Sequence, residues 1–270
     1  MGVVWDNVEQ ISSNISSGDF VHIKGKISEY KGDLQLIVKK MEACDLESVK
    51  PSDFIPATSR NVDNMFDRIL KISESIENNY LKKLFDLFWH DAEFVEKYKI
   101  APAAKKMHHA YIGGLLEHSL SMALLADKIA GHYGGIDKDL LIAGSILHDI
   151  GKIREFEYEN KIDYSDEGRL LNHIVIGVQM LDDKIRTIKD FPEEQAFLLK
   201  HLIVSHHGIR EFGSPEPPKT IEGVLLNLID EIDSKVNGIR EFIALKDPNE
   251  SWTSYHKLLE RYFYAGKNKK

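Results

Sequence analysis

Two adjacent residues, His148 and Asp149, carry the side chains in this chain best suited to chemistry. An apolar stretch (Leu140, Leu141, Ile142, Ile146, Leu147) runs straight into them, and a carboxylate at the buried end of a helix is costly unless a cation neutralises it. More such groups stand at helix-like positions on either side: His118 before the pair, then His173, His206, His207 and Asp230. Taken singly, a histidine on a helix is more often a core or surface residue than a ligand. As a set with apolar neighbours, these groups would be expensive to bury without a shared partner. A metal ion solves that problem by binding neutral imidazole and ionised carboxylate. The ligand types suit Mn, Fe, Co, Ni or Zn. Consecutive residues at a helix end point about 100° apart, so His148 can bind one ion while Asp149 bridges two.

Helices must carry these groups, and from Asn61 the sequence reads as helical almost to its end. Val62, Met65, Phe66, Ile69, Ile72 and Ile76 make one apolar stripe over Asn61–Asn78. Tyr80–Trp89 and Asp91–Tyr98 continue the pattern until Pro102 breaks it. The Gly113-Gly114 pair precedes a long helix, Leu115–His132, with His118 in its first turn, and a helix over Asp137–Asp149 follows. Gly151 then supplies a residue that tolerates positive φ, as a helix stop requires. Arg154–Tyr164 reads as a short hairpin, while Arg169–Arg186 and Glu193–His206 read as amphipathic helices delivering His173 and His206. The Gly- and Pro-rich stretch Gly208–Lys219 is a loop. Thr220–Ile243 is a helix bearing Asp230, and Trp252–Tyr264 a last one before a basic tail.

Residues 1–50 read as β. Asp19–Tyr30 and Asp33–Cys44 are rich in β-branched residues and partly alternate. Tyr30-Lys31-Gly32-Asp33 is the turn between them, and Gly2–Trp5 a further strand. Pro51 and Pro56 mark residues 51–60 as a linker. The predicted fold class is therefore mainly α: a helical domain over 61–270 behind a small β segment.

Composition narrows the function classes. Hydrophobic residues at 43% and charged residues at 29% are those of an ordinary globular protein. A net charge of −8 argues against a protein that coats duplex DNA by charge alone, though not against a nuclease. The single cysteine, Cys44, excludes an internal disulfide and points to a reducing compartment. No apolar run approaches the ~18 residues of a membrane span, and the start of the chain resembles neither a signal peptide nor a myristoylation site. The expected location is the cytoplasm.

The order H…HD…H…HH…D resembles that of the HD-domain metal-dependent phosphohydrolases. Three longer stretches narrow the likeness: Pro102-Ala103-Ala104-Lys105 through Leu115-Leu116-Glu117-His118, then Gly168-Arg169-Leu170-Leu171-Asn172-His173-Ile174, then Ser205-His206-His207-Gly208 with Glu211-Phe212-Gly213-Ser214-Pro215. Together they are similar to the YhaM-type 3′→5′ exoribonucleases of Gram-positive bacteria, which join an N-terminal OB-fold to an HD domain. The resemblance implies two divalent ions per chain, with Mn expected and Fe, Co, Ni, Zn or Mg as alternatives. His118, His148, Asp149 and Asp230 would hold one ion. Asp149 as bridge, with His173, His206 and His207, would hold the other. Asp233, one turn after Asp230, is the rival for the last ligand, and the family pattern favours Asp230. Two ions about 3.5–4 Å apart hold a hydroxide between them and clamp a phosphate. Lys152 is placed to meet developing phosphate charge, or else is a helix-end lysine favoured by the macrodipole. The β segment resembles the later strands of an OB-fold, but five are needed and about three fit before residue 50, so the OB-like part is incomplete.

The implied substrate is the 3′ end of single-stranded RNA or DNA, cut to nucleoside monophosphates. A small nucleotide or cyclic dinucleotide is the alternative, and a regulator without turnover a third reading. Lys105, His108, His109, Tyr111, Arg154 and Arg169 are candidate substrate-binding residues near the entrance, with Gly113, Gly114, Tyr164, Glu211 and Ser214 behind them. His22, His90, His132, His201 and His256 are expected to have no part in the site. The unpaired edges of a partial β sheet lead to the expectation of a homo-oligomer.

Overall fold

The computed structural model describes all residues except 1, 17, 31–32, 46–48, 50–53, 107 and 267–270. The centre of the expected Tyr30–Asp33 turn, part of the linker and the basic tail lie outside the described residues. The chain divides into two units, one of residues 1–56 with 159–161, the other of residues 57–158 with 162–270.

In the first unit β1 (Gly2–Val3) pairs parallel with β3 (Asp33–Ala43), which pairs antiparallel with β2 (Val21–Tyr30). The strand order is β1-β3-β2, with a register break between Lys24 and Gly25. The expected strands are present. A short helix, α1 (Val8–Ser12), interrupts a region read as β throughout.

The second unit is helical because its segments alternate apolar stripes with N-terminal caps. Asn61, Asn78 and Asp91 accept backbone N–H groups at the starts of α2 (Val62–Glu74), α3 (Asn79–Trp89) and α4 (Ala92–Ile100). Such caps satisfy donors that the first turn leaves unpaired. α5 (Gly114–His132) and α6 (Lys138–Leu147) follow. Every residue of α6 from Leu140 to Leu147 is buried, and a helix apolar all round belongs in the middle of a core. It packs against α2, α5, α9 and α10. α7 (Lys152–Glu155) leads into β4 (Phe156–Glu157), which pairs with β5 (Asp163–Tyr164). The hairpin expected over Arg154–Tyr164 is there, preceded by a helical turn. α8 (Asp166–Ile185), α9 (Glu193–Ser205) and α10 (Ile221–Ala244) complete the bundle.

The last expected helix does not form. Trp252 bridges Tyr264 and His256 bridges Arg261, both antiparallel, with Glu260 at φ 50° in the turn. Trp, Thr and Tyr in this stretch favour an extended, half-buried backbone. Among the described residues no helix is long and apolar enough to cross a membrane. The chain is mainly α.

Candidate metal centre

α6 points its C-terminal end at the centre of the helical unit. It closes at Leu147, short of the expected Asp149, with the His148 N–H still bonded to the Gly144 carbonyl at 2.8 Å. Gly151 corrects a second expectation, since its backbone is right-handed (φ −61°, ψ −21°). The glycine answers crowding rather than a turn: a Cβ there would lie 2.0 Å from the His173 carbonyl oxygen. Gly168 meets Glu155 in the same way, at 2.1 Å from its carbonyl oxygen. These bare contacts let α7 and α8 touch backbone to backbone. α8 itself is broken at Asn172 (φ 66°, ψ 152°), whose Oδ1 accepts the Ile174 N–H at 2.9 Å. A non-glycine residue there is strained, and the break turns His173 towards α6.

Four histidines then face one carboxylate. His118 Nε2 lies 3.2 Å from His148 Nε2, 3.4 Å from Asp230 Oδ1 and 3.8 Å from Asp149 Oδ2. His148 Nε2 is 3.3 Å from that same Asp149 oxygen. On the other side, His173 Nε2 and His206 Nε2 stand 3.6 and 3.5 Å from Asp149 Oδ1. His207 joins that second group, since its ligand atom and those of His173 and His206 all lie within 4.8 Å of one another. Two ligands each about 2.1 Å from one ion, at tetrahedral or octahedral angles, are roughly 3.0–3.4 Å apart. The observed spacings are close to that, with little adjustment needed.

The opposite ring nitrogens are all engaged. His118 Nδ1 is 2.8 Å from Asp233 Oδ2 and His173 Nδ1 is 2.9 Å from Glu155 Oε1. His148 Nδ1 meets the Ser145 carbonyl at 3.2 Å and His206 Nδ1 the Ile203 carbonyl at 2.7 Å. Oxygen acceptors demand an Nδ1–H donor, so each ring, in its neutral form, turns an Nε2 lone pair to the centre, as metal-ligating histidines do. Asp149 Oδ1, His173 Nε2 and His206 Nε2 are buried and have no hydrogen-bond partner. A divalent ion fits that orphaned set.

Charge is arranged to match. Burial alone would raise the Asp149 carboxyl, yet the Lys152 ammonium at 2.5 Å and His148 hold it well below the usual carboxylate range. Burial pushes the His206 imidazole far down and lowers His207, which keeps both in the neutral, ligating form. Burial would lower Lys152 too, but Asp149 outweighs it and keeps the ammonium charged.

An HD-domain family model matches residues 115–235. A second model, of a helicase description (TraI_2), matches residues 49–134 and ends before His148. The 3′-5′ exoribonuclease YhaM of Bacillus subtilis (strain 168) is 33% identical over 264 residues, which is 97% of this chain and 82% of that protein. The chain belongs to the YhaM-type family of HD-domain proteins. As a member it is a metal-dependent hydrolase, and divalent metal binding goes with its HD domain. No solved structure matches significantly.

The cleft in front of the cluster has a volume of about 610 Å³. Asp149, Lys152, His173, His206, His207 and Asp230 line it, as do the expected Lys105, His108 and Arg169. Burial lowers the His108 imidazole to about 4. Three expected substrate contacts are elsewhere. His109 is buried behind His118, where it bonds Asp233 Oδ2 at 3.0 Å and the Tyr111 hydroxyl at 2.8 Å, and neither residue lines this cleft. Arg154 pairs with Glu167 and lines a separate cavity. Ser214 is likewise structural, since its hydroxyl reaches the Val204 and Glu216 carbonyls.

Asp230 and Asp233 stand on opposite sides of the His118 ring, and each forms a group with His118 that could hold an ion, Asp230 with His148 and Asp233 with His109. Asp233 accepts hydrogen bonds from His109, His118, Ser121 and Asn237. Asp230 faces the Nε2 side. Sequence reasoning missed Glu155, which accepts both the His173 backbone N–H at 3.0 Å and the ring Nδ1–H. A buried glutamate 18 positions before its histidine leaves no spacing signal.

Proposed function

We propose that the chain is a 3′→5′ exoribonuclease that releases nucleoside monophosphates from RNA, or from single-stranded DNA, with two divalent ions per chain. The observation that carries this reading is the split of Asp149: Oδ2 turns to His118 and His148, Oδ1 to His173 and His206. A carboxylate divided in that way suits a bridging ligand. His118, His148, Asp149 and Asp230 would hold one ion, and Asp149, His173, His206 and His207 the other, with Mn the expected metal. When bound, such ions supply Lewis acidity and a water acidic enough to attack phosphorus near neutral pH. The chain's own residues supply the rest. Asp233 and Glu155 fix the His118 and His173 rings through their Nδ1 protons. Lys152 keeps a charged ammonium on the cleft wall, placed to stabilise the negative charge that gathers on the phosphoryl oxygens. The name of the Bacillus relative supports the polarity and the RNA substrate.

The deciding experiment incubates the purified chain with Mn²⁺ and 5′-end-labelled RNA beside a panel of nucleotides and cyclic dinucleotides. A ladder shortening from the 3′ end is expected, abolished by EDTA. Hydrolysis of a free nucleotide with the RNA left intact would make it a small-molecule phosphohydrolase instead.

A further inference from the structure

The hydrolytic chemistry uses the histidines, Asp149, Asp230 and Lys152, yet the same cleft carries a second constellation that it does not need. Phe156 and Tyr164 sit opposite each other on the β4–β5 hairpin, and their rings pack at 5.2 Å with a 38° tilt. Phe156 is buried at 6% exposure, while Tyr164 keeps 39% and lines the cleft. A hairpin with two-residue strands is too short to hold itself, so the tyrosine ring is held by its packing on Phe156 and by the Lys105 ammonium over it.

One cation lies over that ring and a second bonds the tyrosine's backbone, both gathered by one carboxylate. Asp163 Oδ1 is 2.5 Å from Lys105 Nζ and 3.2 Å from Arg169 Nη2. Lys105 Nζ stands 5.3 Å from the Tyr164 ring centroid, and Arg169 Nε donates to the Tyr164 carbonyl at 3.4 Å. Both cations line the cleft with the tyrosine. In a chain of net charge −8, two cations beside a rigid, exposed aromatic ring at the mouth of a phosphoesterase cleft call for an explanation. Single-strand readers combine the same two features, a cationic track for the backbone and an aromatic face for the base.

Resting on the exonuclease reading, we propose that Tyr164 is the stacking platform for the base at the 3′ end of the bound strand. Lys105 and Arg169 hold the phosphates beside it. Every base has a π face, so the platform orients the terminal nucleotide without choosing its sequence. It binds and orients, and takes no part in bond breaking.

The test uses the Mn²⁺-loaded protein and two matched oligoribonucleotides, one with a normal 3′-terminal nucleotide and one whose terminal nucleotide is abasic. The readout is the ratio of kcat/KM on the two ends. Stacking on an aromatic side chain should favour the base-bearing end by roughly tenfold. Tyr164→Ala should abolish that preference and Tyr164→Trp should keep it, a pattern that general damage to the cleft would not produce. A preference that survives in Tyr164→Ala, or a wild type without one, overturns the platform while leaving the exonuclease reading intact. A wild type that degrades neither strand refutes that reading and the platform with it.

Discussion

Asp149 has little freedom to vary, because its two oxygens serve different neighbours. Asp149→Asn would replace one oxygen with an amide that cannot ligate and would remove the negative charge from both histidine sets. We expect this variant to lose activity and most of the bound metal from both sites, as read by elemental analysis after dialysis. Two metals per chain with near-normal turnover would end the dinuclear reading. Lys152 has two explanations that part cleanly. If its ammonium stabilises transition-state charge, Lys152→Ala should lower kcat by about 10²-fold or more with metal content intact. The expected helix-end role does not hold, since Lys152 opens α7 and the macrodipole disfavours a cation there; a change confined to the melting temperature would leave it only as the neutralising partner of Asp149.

At the scale of elements, surface-lying ion pairs tie the helices that hold α8 in place. Asp91 caps α4 and pairs with Lys184 of α8 at 2.7 Å, while Asp182 of α8 pairs with Lys200 of α9. Lys184 holds the Asp91 carboxyl below its usual value, and Lys200 does the same to Asp182. A carboxyl lowered by folding adds stability that is present above its unfolded value of about 3.9 and is lost as pH falls through the folded value. Between roughly pH 5 and pH 3, thermal unfolding of wild type should therefore lose more than that of the Asp91→Asn, Asp182→Asn double variant. Parallel pH profiles would show that the pairs are not felt. The helices themselves were legible in the sequence, because apolar spacing and capping residues are local signals. The site was legible as a set of residues for a different reason, in that histidines and aspartates beside apolar runs need partners. What escaped were features made by contact between distant segments: the Glu155 anchor, the Asn172 break and the true reason for Gly151. The Trp252–Tyr264 stretch misled because aromatic spacing over so short a run fits a helix and an extended pair equally well.

For the whole molecule, the β unit is the part whose role the helical unit does not explain. Its strands expose Ile23, Ile27 and Leu34, and partial sheets are prone to pair with others. Deleting residues 1–56 should leave metal content and hydrolysis of a short diester largely intact, weaken binding of long single strands only modestly, and lower the assembly state measured by light scattering. An unchanged assembly, or lost metal, would give the segment another part. The backbone contacts at Gly151 and Gly168, with a third at Gly114, where a Cβ would lie 2.1 Å from the His109 carbonyl oxygen, bear on how this protein can drift. A side chain larger than hydrogen at any of these three must force two segments of main chain apart, and no rotamer relieves it. Each seam lies two to five residues from a proposed ligand, so widening it moves a ligand. In a saturation scan scored for retained metal, these three glycines should therefore tolerate as few replacements as the ligands, while Arg154 and Tyr111 accept many. The heritable signature of the centre would then include positions that donate no atom to it.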